Sequence, residues 1–122
     1  MIEIINLDMS KTLGFRVEGK LDDVSFKTAT KEIMEALDEK HCNLYLEIHS
    51  VKGISFETMW DSIKLALRHI GEYLRKVDKI AVVTDVAWIQ QAVKLENKLI
   101  PSIEEKVFVM EEKENAKAWL GT

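Results

Sequence analysis

Residues 56–74 read FETMWDSIKLALRHIGEYL, and residues 80–83 read IAVV. Apolar side chains recur through the first stretch at alternating spacings of four and three, which predicts an amphipathic helix of about five turns. Its apolar positions are Phe56, Trp60, Ile63, Leu67, Ile70 and Leu74. The second stretch is a short unbroken apolar run, which is typical of a central strand covered on both faces. Together they predict a helix that packs against the middle of a sheet.

The residues before this helix predict a second helix between strands. Leu44, Leu46 and Ile48 alternate with Tyr45, Glu47 and His49, which indicates a strand with one face less buried than the other. Asp22 and Asp23 are candidate caps for a helix with apolar positions Phe26, Ala29, Ile33 and Leu37. Two N-terminal strands are predicted near Ile2 to Leu7 and Leu13 to Gly19, with a turn over residues 8–11 between them.

The residues after IAVV continue the alternation of helix and strand. Asp85 can cap a helix that carries Trp88, Ala92, Leu95 and Leu99 and ends before Pro101. A last strand is predicted at Val107 to Met110 and a short helix at Ala116 to Leu120. The order ββαβαβαβα predicts an α/β fold, with a mixed β-sheet of about five strands and helices mostly on one face. No linker or repeat divides the chain, so residues 1–122 are expected to form a single domain.

Composition excludes several classes of partner. The 17 basic residues are scattered among 21 acidic ones and the formal net charge is -4, which argues against nucleic acid. No apolar stretch reaches the roughly 18 residues that a membrane span needs. Because there is one cysteine, Cys42, and no visible signal segment, we expect a cytoplasmic protein with a buried free thiol.

Three short motifs resemble the SpoIIAA-like family. They are Met59-Trp60-Asp61, Ala81-Val82-Val83-Thr84-Asp85 followed by Trp88, and Ala116-Lys117-Ala118-Trp119-Leu120. The resemblance covers nearly the whole length. It implies a STAS-like fold, which is also similar to the lipid-binding half of CRAL-TRIO proteins, and it implies no enzyme.

In regulatory STAS domains a serine at the start of the helix after the third strand is phosphorylated by a partner kinase. Ser55 has the equivalent place here and is the phosphoacceptor candidate that the resemblance implies. The surrounding Gly53-Ile54-Ser55-Phe56 departs from the typical Asp-Ser-Ser-Gly. A serine there also caps the helix without modification, and we favour that structural role.

No arrangement of residues predicts catalysis, a cofactor or a metal. There is no nucleophile with a base and no glycine-rich phosphate loop. His41, Cys42 and His49 have metal-ligand chemistry, but strand alternation places Cys42 and His49 on opposite faces and no further ligand spacing supports them.

Two features of the helices suggest binding. Met59, Trp60, Trp88 and Ile89 are bulky or flexible side chains that can either fill the core or line a pocket for a small apolar ligand. Ile89, Val93 and Ile100 form a second apolar row on the helix near residues 86–100, which predicts a two-fold dimer. The leading hypothesis is a non-enzymatic regulatory or protein-interaction module with a protein partner. The alternative is binding of a small apolar ligand or lipid between the helices and the sheet.

Overall fold

A computed structural model describes residues 2–20, 22–52, 55–87, 89–91 and 103–122. The strands are β1 (Ile2–Ile5), β2 (Thr12–Lys20), β3 (Cys42–Lys52), β4 (Val77–Thr84) and β5 (Glu104–Phe108). The helices are α1 (Asp23–Glu39), α2 (Phe56–His69) and α3 (Lys113–Leu120), and short 3-10 helices cover Gly71–Lys76 and Met110–Glu112. Residues 87 and 89–91 are also helical.

The five strands form one mixed sheet in the order β1-β2-β3-β4-β5. β1 is antiparallel to β2, and the pairs β2–β3, β3–β4 and β4–β5 are all parallel. A parallel pair requires a crossover between its strands, and α1 and α2 supply the first two. Both helices therefore run opposite to the strands and parallel to each other. The expected mixed sheet of five strands is confirmed.

Two apolar cores lie on opposite faces of the sheet. The main core lies under α1 and α2, and its fully buried members include Leu37, Leu44 and Trp60. The second core lies under α3, where Tyr45 and Ala81 pack against Ala116 and Leu120. Both faces of β3 and β4 are thus covered. The expectation that Tyr45 and Glu47 lie on a less buried face is wrong, because α3 and its flanking residues cover that face: Tyr45 is 0% and Glu47 2% exposed.

Local signals in the sequence set the starts of α1 and α2. The carboxylate of Asp22 accepts a hydrogen bond from the backbone N–H of Ser25, and the Ser55 hydroxyl accepts one from the N–H of Thr58. The N-caps predicted at Asp22 and Ser55 are confirmed, since each side chain satisfies an N–H that has no partner within its helix. Asp23, the other candidate, is the first residue of α1.

Two predicted boundaries are wrong. The long helix ends at His69 instead of near Leu74, because Gly71 adopts a left-handed φ of 63° that terminates α-helices and a 3-10 helix follows. The last strand is Glu104–Phe108 instead of Val107 to Met110. The carboxylate of Asp85 accepts a hydrogen bond from the N–H of Met110, so it fastens the connection that follows β5.

None of the helices in the described part of the chain is both long and apolar enough to cross a membrane.

Candidate binding groove and a buried carboxylate

An open groove of about 640 Å³ runs between α1 and α2 on the outer surface of the helical layer. Its walls are mainly apolar, with charged side chains at the rims. The apolar part comprises Phe26, Met34, Leu65, Ala66 and Tyr73. Ligand pockets commonly fall between about 300 and 1,000 Å³, so the groove has the volume of a binding site but is open along its length.

Leu65 distinguishes this groove from ordinary helix surface. Its side chain is 66% exposed although it lies at the groove wall. The amphipathic repeat of α2 points Ile63 and Leu67 into the core and turns Leu65 outwards. The exposed Val24 of α1 is similar at 71%, but it is not part of the groove wall.

A narrow gap of about 40 Å³ lies beneath the groove, between the two helices and the sheet. Phe26, Thr30 and Ala66 border both the gap and the groove. The floor of the gap is made by sheet residues such as Phe15 and Leu46. Groove and gap are therefore separated by a few side chains of α1 and α2.

On the other face of the sheet, Glu47 is buried and holds a cluster of polar side chains. Its Oε2 accepts from Arg16 Nε and contacts His49 Nε2, each at 2.7 Å. Its Oε1 accepts from the Tyr45 hydroxyl at 2.8 Å and lies 3.7 Å from Lys113 Nζ. Glu47 thus joins β2 and β3 to the first residue of α3.

These contacts keep Glu47 ionised. Burial by itself raises the pKa of this carboxyl. Hydrogen bonds from His49, Arg16 and Tyr45 and the charge of Lys113 outweigh that effect and lower the pKa to about 2. Burial and the hydrogen bond to Glu47 raise the pKa of the Tyr45 phenol. A carboxylate held in this way serves as a fixed negative charge at neutral pH.

The pattern of the sequence alone does not reveal this cluster. The period of two placed Tyr45, Glu47 and His49 on one face of β3 but did not indicate what covers that face. Arg16 lies on the same face of the adjacent strand, because the register pairs it with Glu47. An acid within an otherwise apolar strand, opposite a basic residue of a neighbouring strand, is the signal that could have found the pair.

The predicted site residues are in different parts of the molecule. Ser55 is exposed at the start of α2, and its hydroxyl donates to the Thr58 hydroxyl at 2.9 Å. Met59, Trp60 and Ile89 are fully buried in the main core and line neither the groove nor the gap. Trp88 lies outside the described residues, as do Val93 and Ile100 of the second apolar row.

Three side chains with metal-ligand chemistry are separated by the fold. Cys42 is buried in the main core on the face of Leu44, as predicted, while the His49 ring contacts Glu47 on the opposite face. The His41 ring lies 3.2 Å from the carboxylate of Asp78. Over the part of the chain that the structure describes, no group of three or more potential ligands could hold a metal ion.

Comparison with known proteins places this geometry in context. The sequence profile of the SpoIIAA-like family matches residues 12–121. A crystal structure of an uncharacterised protein with a SpoIIAA-like fold from Shewanella loihica superposes with a TM-score of 0.67 at 26% identity, over 98% of this chain and 92% of that one. No curated protein matches the chain.

Proposed function

The chain belongs to the SpoIIAA-like family, and we propose that it is a single-domain, non-enzymatic regulatory module that binds a protein partner through the groove between α1 and α2. The exposure of Leu65 at the groove wall is the observation that carries the proposal. Leu65 extends the apolar surface of the groove, and contiguous exposed apolar surface commonly marks a protein–protein or ligand-binding site.

The buried cluster supports a binding role over catalysis. Arg16, His49, Tyr45 and Lys113 surround the Glu47 carboxylate, so this acid has its partners within the protein. A general base must instead have access to the proton that it removes. The buried free thiol of Cys42 fits a reducing compartment, so we place the module in the cytoplasm.

A pair of matched substitutions tests the interaction. Leu65→Asp places a charge in the groove wall, and Val24→Asp places the same charge on an equally exposed position away from that wall. Each protein carries a photoreactive amino acid at Ser62, inside the groove, and is crosslinked in cells of its native host. We expect the wild type and Val24→Asp to form one discrete adduct and Leu65→Asp to lose it. Equal adduct formation by both variants would contradict the groove as the contact site.

The alternative function is binding of a small apolar ligand or lipid, and the gap beneath the groove favours it. Apart from Thr30 the gap is lined by apolar side chains, and Phe26, Thr30 and Ala66 also border the groove above it. A ligand chain entering between α1 and α2 would occupy both spaces. Titration with a fluorescent fatty acid and a neutral fluorescent lipid tests this, with Ala66→Phe to fill the passage. Saturable binding that Ala66→Phe abolishes supports a ligand; no saturable binding by the wild type contradicts it.

Two further roles belong to the same proposal. The exposed hydroxyl of Ser55 is accessible to a kinase, but we propose that it acts as a helix cap. Met59, Trp60 and Ile89 remain candidates for a second apolar pocket together with Trp88, which is outside the described residues.

A further inference from the structure

The exposed charges of the helical layer form a two-by-two pattern. Among the residues of α1 whose exposure the structure describes, 24–38, the exposed charged side chains are Lys27 and Lys31, followed by Glu35 and Asp38. On α2 the order of the exposed charges is reversed: Glu57 and Asp61 come first, then Arg68. Since α1 and α2 run parallel, opposite signs lie side by side at each end of the layer.

The charges of α2 agree with its own helix dipole at both ends, whereas those of α1 agree only at the start, where the carboxylate of Asp22 caps the helix. Acidic residues stabilise a helix N-terminus and basic residues its C-terminus, and α2 has Glu57 in its first turn and Arg68 and His69 in its last. The last turn of α1 has no basic residue and contains Asp38. Within α1, Lys31 Nζ lies 3.9 Å from Glu35 Oε1. This exposed pair contributes little to stability and does not account for the acidic last turn.

A two-fold axis would make this pattern complementary to itself. If a second copy faces this layer with its helices antiparallel, the basic half of each α1 lies over the acidic half of the other, and the same holds for α2. The change of sign falls between Lys31 and Glu35 on α1 and between Asp61 and Arg68 on α2. Leu65 lies at that midpoint of α2, so the axis brings the two exposed leucines together. Two-fold contacts between identical patches are the commonest form of self-assembly.

We infer that the protein partner of the groove is a second copy of this chain, bound through an antiparallel contact of the α1–α2 layers. This inference rests on the proposed function, because it names the occupant of the same surface. It places the contact on α1 and α2 and not on the apolar row predicted from Ile89 onwards, because Ile89 is buried in the main core. The charges are complementary in this orientation, and the antiparallel contact is the one that also brings the two Leu65 side chains together. Leu65 with Met34 then supplies the apolar centre.

Charge reversal on α1 tests the inference by mass measurement. The chain has a mass of 14.0 kDa, and we expect light scattering at micromolar concentrations to give twice that value for the wild type. Lys27→Glu with Lys31→Glu makes the exposed face of α1 wholly acidic, and Glu35→Lys with Asp38→Lys makes it wholly basic. Each double variant should be monomeric alone, and an equimolar mixture should regain the doubled mass.

The variant with all four substitutions separates the two orientations. Antiparallel α1 helices remain complementary when all their charges are reversed, so this variant should dimerise like the wild type. A contact that places α1 over α2 of the other copy would lose complementarity, so a monomeric four-fold variant overturns the antiparallel contact. Circular dichroism establishes that each variant is folded.

A wild type that stays monomeric at every concentration overturns the second-copy inference. The groove then remains the site for a different protein, which the crosslinking of Leu65→Asp and Val24→Asp tests separately.

Discussion

Glu47 shows how one buried charge connects three elements. It is 2% exposed, and its partners come from β2, from β3 and from the start of α3. Removing one member of a buried ion pair leaves the others without compensation, which commonly costs about 3–5 kcal/mol. The position of α3 on the sheet thus depends partly on a side chain that lies far from it in the sequence.

The depressed pKa of Glu47 predicts acid sensitivity. The ordinary value of 4.5 falls to about 2 in the folded protein, so protons bind the unfolded chain first as the pH falls. The stabilisation, on the order of 3 kcal/mol, is fully present above about pH 5 and is lost as the pH approaches 2. Urea unfolding at several pH values should show this loss in the wild type and a flatter profile in Glu47→Gln. Glu111→Gln, at an exposed site, is the control, and equal slopes for Glu47→Gln and the wild type would refute the assignment.

Trp60 predicts a difference between two substitutions. Its ring is fully buried, and among the described residues its Nε1 has no hydrogen-bond partner. Trp60→Ala removes the packing of a large ring and should lower the free energy of unfolding by about 3–5 kcal/mol. Trp60→Phe keeps an aromatic ring and removes a buried unpaired donor, whose burial costs about 1–3 kcal/mol, so its loss should be much smaller. Denaturant unfolding measures both, and equal losses would mean that the N–H is satisfied.

At the scale of elements, the helix starts follow from single residues. Ser55 begins α2 by accepting from the N–H of Thr58, so Ser55→Ala should lose about 1 kcal/mol, while Ser55→Asp, another good cap, should unfold like the wild type. Thermal or urea unfolding measures both variants. Mass spectrometry of the protein from its native host tests the competing role. Stoichiometric phosphate on Ser55 that alters partner binding would contradict a purely structural serine.

The elements also show what local sequence determines. The periods of α2 and β4 predicted their type and their buried faces, because apolar spacing reports which side of an element meets the core. Predicting where α2 ends would have required knowing that Gly71 adopts a left-handed φ, which composition alone does not reveal. Predicting that Glu47 is buried would have required knowing that α3, about 70 residues later, packs on that face of the sheet. Such long-range contacts have no signature within the strand itself.

At the scale of the whole molecule, the fold was more predictable than the site. The order of strands and helices together with right-handed crossovers restricts the topology, so the five-stranded sheet followed from the pattern. The groove did not, because it depends on the distance between α1 and α2 and on which side Leu65 faces. Its charge pattern becomes visible only when two helices from separate parts of the sequence lie side by side.

The order of the strands across the sheet is also their order along the chain. During synthesis, each new strand therefore finds its neighbour already made, and the sheet grows by addition at a single edge without inserting a strand between two others. β5 carries Glu104, Glu105 and Lys106 in a strand of five residues, unlike the apolar β4. Short charged strands resist pairing with a further strand, so the composition of β5 disfavours the addition of another strand beside it.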